Sequence, residues 1–198
     1  MRIISGSLKG RKIAFPNLKN AEALTRPTTD VAREGLFNWI QHRQPLDEIE
    51  SPWVLDLFSG TGAVGLEFVS RGAARVDFVE KSSVCVDSIQ QHAEQFGLSS
   101  ICNFSKADAF SFLTVGGGGA RYDYIFADPP YALPQLRLLP QIILDSNRLL
   151  PTGLLIIEHD DRHNFEKIKG WIESRSYGKS RFSFFEHVQN RDREAKSE

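Results

Sequence analysis

Residues 54–65 read Val54-Leu55-Asp56-Leu57-Phe58-Ser59-Gly60-Thr61-Gly62-Ala63-Val64-Gly65. An apolar run with the character of a β-strand leads into a glycine-rich turn, and an apolar stretch with helical character follows the turn. Three of the glycines have the spacing G-x-G-x-x-G. This spacing predicts a strand–loop–helix unit whose backbone a nucleoside-bearing ligand approaches closely. Several kinds of nucleoside cofactor use such a turn, so the motif predicts the fold more firmly than the cofactor.

Apolar strands alternate with helices on both sides of this unit. Strands are predicted at residues 53–58, 75–80, 100–106, 122–127 and 153–158, and two more meet at Gly178-Lys179. Helices are predicted between the strands, at residues 164–171, and before the first strand, where Thr29 or Asp30 is the expected cap. This alternation is typical of a parallel sheet with helices on both faces. The sequence therefore predicts an α/β, Rossmann-like fold whose seven-stranded sheet is mostly parallel with one antiparallel strand.

The chain divides into three predicted parts. Its 198 residues, 41% hydrophobic and 25% charged, suit one domain with a small appendage. Residues 1–25 are predicted to form an N-terminal β appendage, with short strands at Ile3-Ile4 and at residues 12–15. Residues 26–188 form the predicted main domain, and residues 189–198 form a polar tail. The glycines at residues 116–119 lack the Lys-Ser/Thr of a phosphate-binding loop and are interpreted as a flexible loop.

Basic residues are concentrated at the start of the chain. The formal net charge is only −1. The basic residues that precede the first acid, Glu22, are Arg2, Lys9, Arg11, Lys12 and Lys19. A basic arm on a slightly acidic body is suited to phosphate groups, and it favours a nucleic-acid partner. An ordinary solvated surface is the alternative interpretation.

Acidic residues lie near the ends of three predicted strands. Asp56 lies just before the glycine-rich loop, where it would repel a pyrophosphate but suit a cationic cofactor that carries an amino group. S-adenosylmethionine has a sulfonium, an ammonium and a ribose, and no phosphate. Glu80 stands where a ribose-binding acid is expected, and Asp108 is suited to the adenine amino group. Two alternatives remain open at this point: Asp56 could cap the loop, and Asp108 could cap the helix that follows it.

A second motif, Asp128-Pro129-Pro130-Tyr131, follows the apolar strand at residues 122–127. A carboxylate and a backbone carbonyl can accept the two hydrogens of an –NH2 group. The prolines stiffen the turn and remove two N–H donors, so the local backbone offers only acceptors. The tyrosine offers a flat face. The motif therefore predicts a site for a planar base that carries an amine.

The combination of these motifs resembles a class I S-adenosylmethionine-dependent methyltransferase. The motif at residues 128–131 resembles the signature of the amino-methyltransferases. Four N-terminal blocks resemble the bacterial family of 16S ribosomal RNA guanine-N2 methyltransferases, and the likeness extends from Met1 to about Glu158. These blocks are Arg2-Ile3-Ile4-Ser5-Gly6, Lys9-Gly10-Arg11, Arg26-Pro27-Thr28 and Arg33-Glu34-Gly35-Leu36-Phe37-Asn38.

This resemblance implies a substrate and a set of site residues. The substrate is the N2 amine of a guanine in 16S ribosomal RNA, within the small subunit or an assembly intermediate. The expected catalytic residues are Asp128, Pro129 and Tyr131. The expected residues for S-adenosylmethionine are Thr28, Asp56, Phe58, Gly60, Gly62, Glu80, Lys81, Asp108 and Ala109. The expected RNA contacts are Arg2, Lys9, Arg11, Lys12 and Arg26.

Other functions are compatible with parts of this pattern. A DNA adenine-N6 methyltransferase can carry the same four-residue motif, but only about seventy residues separate Asp56 from Asp128, which leaves little room for a target-recognition insertion. A glutamine-N5 methyltransferase would be expected to have Asn at position 128. A non-catalytic RNA-binding assembly factor would have no need of the acids. A dehydrogenase is the weakest alternative, because Asp56 disfavours a pyrophosphate.

The remaining features concern location and assembly. Cys85 and Cys102 have no paired spacing, so reduced thiols and a cytoplasmic location are expected. No apolar run reaches about 18 residues, and the apolar stretch at the start is too short for a signal peptide. No membrane partner and no metal are expected, and a monomer is the expected oligomeric state.

Overall fold

The computed structural model describes residues 1–16, 28–114 and 119–187. Its strands are β1 (Trp53–Leu57), β2 (Arg75–Glu80), β3 (Cys102–Lys106), β4 (Tyr122–Ala127), β5 (Leu149–His159), β6 (Trp171–Tyr177) and β7 (Ser180–Glu186). They form one sheet in the order β3-β2-β1-β4-β5-β7-β6. The strands β1 to β5 pair in parallel, and β7 is antiparallel to both β5 and β6. The predicted Rossmann-like, mostly parallel seven-stranded sheet with one antiparallel strand is confirmed.

Helices cover both faces of the sheet. They are α1 (Asp30–Arg43), α2 (Ala63–Ser70), α3 (Ser83–Gln95), α4 (Ala109–Thr114) and α5 (Leu139–Asp145). Thr29 caps α1, because its hydroxyl accepts a hydrogen bond from the N–H of Ala32 at 3.2 Å. The α1 face of the sheet, covered by α1, α2 and α3, holds one apolar cluster, and the α5 face, covered by α4 and α5, holds the other.

Two predicted elements of the main domain differ from the structure. Residues 164–171 form turns rather than a helix, and Trp171 begins β6. Phe165 is buried in the α5 face and Gly170 has a φ of +93°, so single turns replace a continuous helix. The strand β5 begins at Leu149 instead of residue 153, and its pairing with β4 contains a bulge between Leu149 and Leu154.

The N-terminal segment docks against α2. Residues 1–16 contain a single antiparallel bridge, between Arg2 and Lys12, in place of the two predicted short strands. The buried carboxylate of Glu67 accepts the N–H groups of Ile4 and Ser5 at 2.7 and 3.0 Å. A buried carboxylate therefore holds the basic arm on the body. Arg26, the tail at residues 189–198 and most of the predicted flexible loop lie outside the described residues.

Strand register brings three acidic residues to one edge of the sheet. Asp56 pairs with Phe126 across β1 and β4, and Ala127 pairs with Ile157 across β4 and β5. The residues after this last pair, Asp128 and Glu158, therefore lie side by side. Side chains alternate between faces along a strand, and Phe126 belongs to the core of the α1 face. The side chains of all three acids consequently point to the α1 face.

Gly65 allows α2 to pack closely on the sheet, and we expect Gly65→Ala to destabilise the chain. A methyl group at this position would lie 2.3 Å from the Phe78 ring and 2.8 Å from the Asp56 carboxylate. Overpacking of this kind costs about 1–3 kcal/mol, more than the gain in helix propensity of up to about 1 kcal/mol. Chemical denaturation of the variant measures the loss. The additional substitution Phe78→Leu removes the ring that the new methyl group would contact. A double variant that loses as much stability as the two single variants together would contradict this explanation.

Candidate active site

Three residues of the loop between β1 and α2 have a left-handed backbone conformation. Phe58, Gly60 and Gly62 have φ values of +57°, +54° and +72°. A Cβ atom at Gly62 would also lie 2.8 Å from Ile89, so both its conformation and its packing require glycine. Phe58 has no such freedom, and non-glycine residues in this conformation are concentrated at functional sites. The loop therefore presents its backbone at the carboxyl edge of the sheet.

Glu80 ties this loop to the end of β2. Its two carboxylate oxygens accept the N–H groups of Gly60 at 3.0 Å and Ser82 at 2.8 Å. Each oxygen retains a further lone pair, so Glu80 can still accept hydrogen bonds from the hydroxyls of a ribose.

Asp56 caps α2 from inside the sheet. Its Oδ2 accepts the N–H of Gly65 at 3.0 Å, and its side chain is buried. Burial raises the pKa of Asp56 to about 7, the Gly65 hydrogen bond opposes this rise, and the negative charge of Glu80 adds to it. The alternative that Asp56 caps the loop thus becomes a contact with the first turn of α2, and the residue also lines a cavity.

Two adjoining cavities meet at this edge of the sheet and share Phe58, Gly60 and Asp128. The larger one has a volume of about 570 Å³, within the range of ligand sites. Its charged lining residues are Glu80, Lys81, Lys106, Asp108 and Asp128. The smaller cavity is lined by Thr28, Asp56, Phe58, Ser59, Gly60, Thr61, Ala63, Val64, Phe126 and Asp128.

Most of the predicted cofactor residues thus lie around one cleft, and two do not line it. Gly62 lies behind the loop as the N-cap of α2, and Ala109 is buried at the start of α4. Asp108 caps α4, because its Oδ1 accepts the N–H groups of Phe110 and Ser111, each at 3.1 Å. The capping interpretation of Asp108 therefore holds, and the same side chain lines the cleft.

The turn at residues 128–131 lines the cleft through Asp128 and Pro130, whereas Pro129 and Tyr131 lie outside the lining of both cavities. Asp128 lines both cavities, and the pKa of its carboxyl is raised well above its ordinary value by burial and then by the charges of Glu158 and Asp56. The hydroxyl of Tyr131 donates a hydrogen bond to Glu158 Oε1 at 3.2 Å. Pro129 is buried, and the N–H of Leu133 closes the turn on the carbonyl of Pro130 at 2.8 Å.

Glu158 is the residue of this site that the sequence analysis missed. It is the penultimate residue of β5, is 1% exposed, and accepts a hydrogen bond from the hydroxyl of Thr28 at 2.5 Å. Burial raises the pKa of Glu158, and hydrogen bonds from Thr28, Ser180 and Tyr131 oppose the rise. One signal was available in the sequence: Glu158 is an acid at the end of an apolar strand, as Asp56 and Asp128 are.

The chemistry of this site fits S-adenosylmethionine. Asp56, Asp128 and Glu158 are carboxylic acids with raised pKa values on one face of the sheet. Within the described ranges, none of the three forms an ion pair with a lysine or arginine. A cationic ligand would relieve this accumulation of negative charge, whereas a pyrophosphate would increase it. The ribose and adenine have candidate acceptors in Glu80 and Asp108.

The N-terminal arm packs along α2 and α3, and its first residue reaches the cleft. The side chains of Arg2, Lys9, Arg11 and Lys12 are exposed. Arg2 lies 3.5 Å from Asp30, and the Arg11 guanidinium lies over the Phe96 ring, 5.7 Å from its centroid. At the start of the arm, Met1 Sδ accepts a hydrogen bond from Thr61, which lines the smaller cavity, at 3.5 Å. The arm therefore reaches the edge of the site.

Comparison with known proteins gives the family. Residues 1–186 match the family described as conserved hypothetical protein 95. Ribosomal RNA small subunit methyltransferase D of Buchnera aphidicola subsp. Baizongia pistaciae is 33% identical over 194 residues, which are 96% of this chain and 93% of the relative. The chain belongs to this ribosomal RNA methyltransferase family. The Escherichia coli K12 protein of the same name is 30% identical over 190 residues, 89% of each chain.

Solved structures support the family assignment. The methyltransferase yhhF from Escherichia coli has a TM-score of 0.76 and 27% identity, and the match covers 94% of this chain and 97% of that one. An RNA methyltransferase from Salinibacter ruber, in complex with S-adenosyl-L-homocysteine, shares the fold with a TM-score of 0.62 at 14% identity, over 82% and 94% of the two chains. S-adenosylmethionine, the expected cofactor, is the methyl donor that the chemistry of this site fits. Every helix among the described residues is too short or too polar to cross a bilayer.

Proposed function

We propose that this chain methylates the exocyclic N2 amine of a guanine in 16S ribosomal RNA. Family membership supports methylation of ribosomal RNA with S-adenosylmethionine as donor. The choice of an exocyclic amine rests on one observation. Asp128, the first residue of the motif at residues 128–131, lies where the two cavities meet.

The motif offers acceptors to the amine. The Asp128 carboxylate and the Pro129 carbonyl accept the two hydrogens of N2, since neither proline contributes an N–H donor. The nitrogen lone pair of guanine N2 is delocalised into the ring, which makes it a poor nucleophile. Holding both hydrogens moves the nitrogen towards tetrahedral geometry and directs its lone pair at the cleft.

The chain's own groups supply positioning and a proton acceptor. S-adenosylmethionine supplies a methyl group activated by a positively charged sulfur. Alignment of amine and donor contributes up to about 7–11 kcal/mol in favourable systems. Asp128 accepts the proton that N2 loses, and its raised pKa makes it a stronger base than an ordinary carboxylate.

Tyr131 holds the base after it leaves the helix stack. Unstacking costs a few kcal/mol, and stacking on an aromatic ring returns roughly 1–3 kcal/mol. The exposed basic side chains of the N-terminal arm bind the phosphates around the target. The proposed setting is the cytoplasm, with the chain acting as a monomer on the small subunit or on an assembly intermediate.

A direct assay tests this proposal. The chain is incubated with tritiated S-adenosylmethionine and small subunits from a strain that lacks the endogenous enzyme, and the nucleosides are analysed. We expect N2-methylguanosine in 16S ribosomal RNA. Label in adenosine, label only in a parallel sample with DNA, or no label at all would overturn the proposal. Naked 16S RNA in a further sample distinguishes free RNA from the assembled particle as substrate.

We expect the triple variant Lys9→Ala/Arg11→Ala/Lys12→Ala to weaken the salt dependence of RNA binding. Each lost phosphate contact lowers the slope of log K against log salt by about 0.7 for single strands, so the slope falls by about 2. Binding titrations between about 50 and 200 mM salt measure it. Lys167→Ala/Lys169→Ala is the matched control, because these exposed lysines flank Ile168 on the α5 face. An unchanged slope in the triple variant would remove the arm from the RNA interface.

A further inference from the structure

Glu158 joins three segments of the chain at one buried carboxylate. One oxygen accepts the Thr28 hydroxyl, from the segment that precedes α1, and the other accepts the Tyr131 hydroxyl, from the turn after β4. Ser180, the first residue of β7, donates a further hydrogen bond to it. Burying a carboxylate costs free energy unless hydrogen bonds compensate. We therefore attribute the hydrogen bonds to Glu158 to a specific role of this carboxylate and not to packing alone.

The Tyr131 ring is held at both ends. Its backbone belongs to the turn that Pro129 and Pro130 stiffen, and its hydroxyl is tied to Glu158. Such a ring has a defined plane before any base arrives. Residues that lock the side chains of a site in this way reduce the ordering that binding would otherwise require.

We propose that Glu158 is a positioning residue that holds the Tyr131 ring in the orientation in which it stacks on the target base. This inference rests on the proposed function, in which Tyr131 contacts the guanine. Glu158 itself is buried and acts through Tyr131.

Glu158 has a second effect, on Asp128. The charged groups that face Asp128 are Glu158 from the end of β5 and Asp56 from β1, and Tyr131 is the titratable neighbour within its own turn. The negative charge of Glu158 raises the pKa of Asp128. Removing this charge lowers the pKa of Asp128, so the acid limb of the pH–rate profile moves to lower pH.

The test combines Glu158→Leu, Glu158→Gln and Tyr131→Phe at saturating S-adenosylmethionine. We expect Tyr131→Phe to lower kcat/KM for RNA about tenfold, the value of one hydrogen bond, and Glu158→Leu to lower it at least as much, because this variant also removes the Thr28 contact. The double variant should lose less than the product of the two single losses, because both substitutions remove the hydrogen bond between Tyr131 and Glu158. Glu158→Gln keeps one acceptor oxygen, so it should lose less than Glu158→Leu while its acid limb moves to lower pH.

Matched controls and alternative outcomes separate this role from a structural one. Glu173→Gln and Tyr177→Phe remove a carboxylate and a hydroxyl that bond to Trp39 and Gly35 on the α1 face, and they should leave kcat/KM unchanged. If Glu158→Leu fails to fold, Glu158→Gln and Tyr131→Phe carry the test. Losses that multiply in the double variant, or a Glu158→Gln variant with an unmoved acid limb, would overturn the inference. If the wild-type chain forms no N2-methylguanosine, the proposed function fails instead.

Discussion

Replacing Asp128 with alanine is expected to lower the rate of methyl transfer by about 10³-fold. Asp128 is the proposed acceptor for an N2 hydrogen and for the proton that leaves, and positioned acid–base groups contribute roughly 10²–10⁴-fold. Asp128→Asn should fall between the wild type and Asp128→Ala, since its amide oxygen still accepts a hydrogen bond but takes up no proton. Single-turnover transfer to ribosomal RNA, at saturating S-adenosylmethionine, measures the effect.

Binding of S-adenosylmethionine distinguishes a variant that has lost the reaction step from a variant that no longer folds. Calorimetric binding of S-adenosylmethionine should be largely intact in Asp128→Ala, because the loop after β1 and the residues at the end of β2 are unchanged. Asp161→Ala, an exposed acid in the turn after β5, is the control and should retain full activity. An Asp128→Ala variant with wild-type transfer rates would remove Asp128 from the mechanism.

Replacing Asp56 with asparagine is expected to weaken S-adenosylmethionine binding by about 100-fold without destabilising the chain. Truncating one partner of a buried charge pair costs about 2–5 kcal/mol of affinity, and a factor of 100 is about 2.7 kcal/mol. The free chain should be as stable as the wild type or more so, because burial penalises the Asp56 charge and an asparagine oxygen can still accept the Gly65 N–H. Calorimetry measures the binding, and chemical denaturation measures the stability.

The stability of the free chain and its affinity for S-adenosylmethionine should change with pH in opposite directions. Burial raises the pKa of Asp56 from 3.8 to about 7, so the free folded chain binds a proton that the unfolded chain has released between these values. The contribution of Asp56 to stability is therefore fully present below about pH 4 and is lost as the pH rises through about 7. Binding of a cation needs the ionised carboxylate, so wild-type affinity should rise between about pH 6 and 8.

Asp56→Asn should lose this pH dependence of both the stability and the affinity for S-adenosylmethionine. Asp123→Asn is the control, because Asp123 lies at the other end of the sheet, where it accepts the Trp53 N–H at 2.8 Å. Its affinity for S-adenosylmethionine should equal that of the wild type. Unchanged affinity in Asp56→Asn would exclude Asp56 from the cofactor site.

Residue patterns along the chain were sufficient to predict much of the fold. The parallel strands and the glycine-rich loop appear in the sequence as apolar runs and turn residues, which depend on near neighbours along the chain. The helix predicted at residues 164–171 was wrong, because burial of Phe165 in the α5 face decides the conformation there. The bulge at the start of β5 was missed for a similar reason, since the pairing of Leu149 with Tyr122 is a contact between strands.

The sequence by itself determined that acids such as Asp56 and Asp128 lie at or just after the ends of apolar strands, and that a rigid, acceptor-rich turn begins at Asp128. It could not determine that these acids share a face, because strand order and register are properties of distant segments. The tertiary structure placed β4 between β1 and β5 and aligned Ala127 with Ile157. That register puts Asp128 beside Glu158 at the site, and burial then raises the pKa of both carboxyl groups.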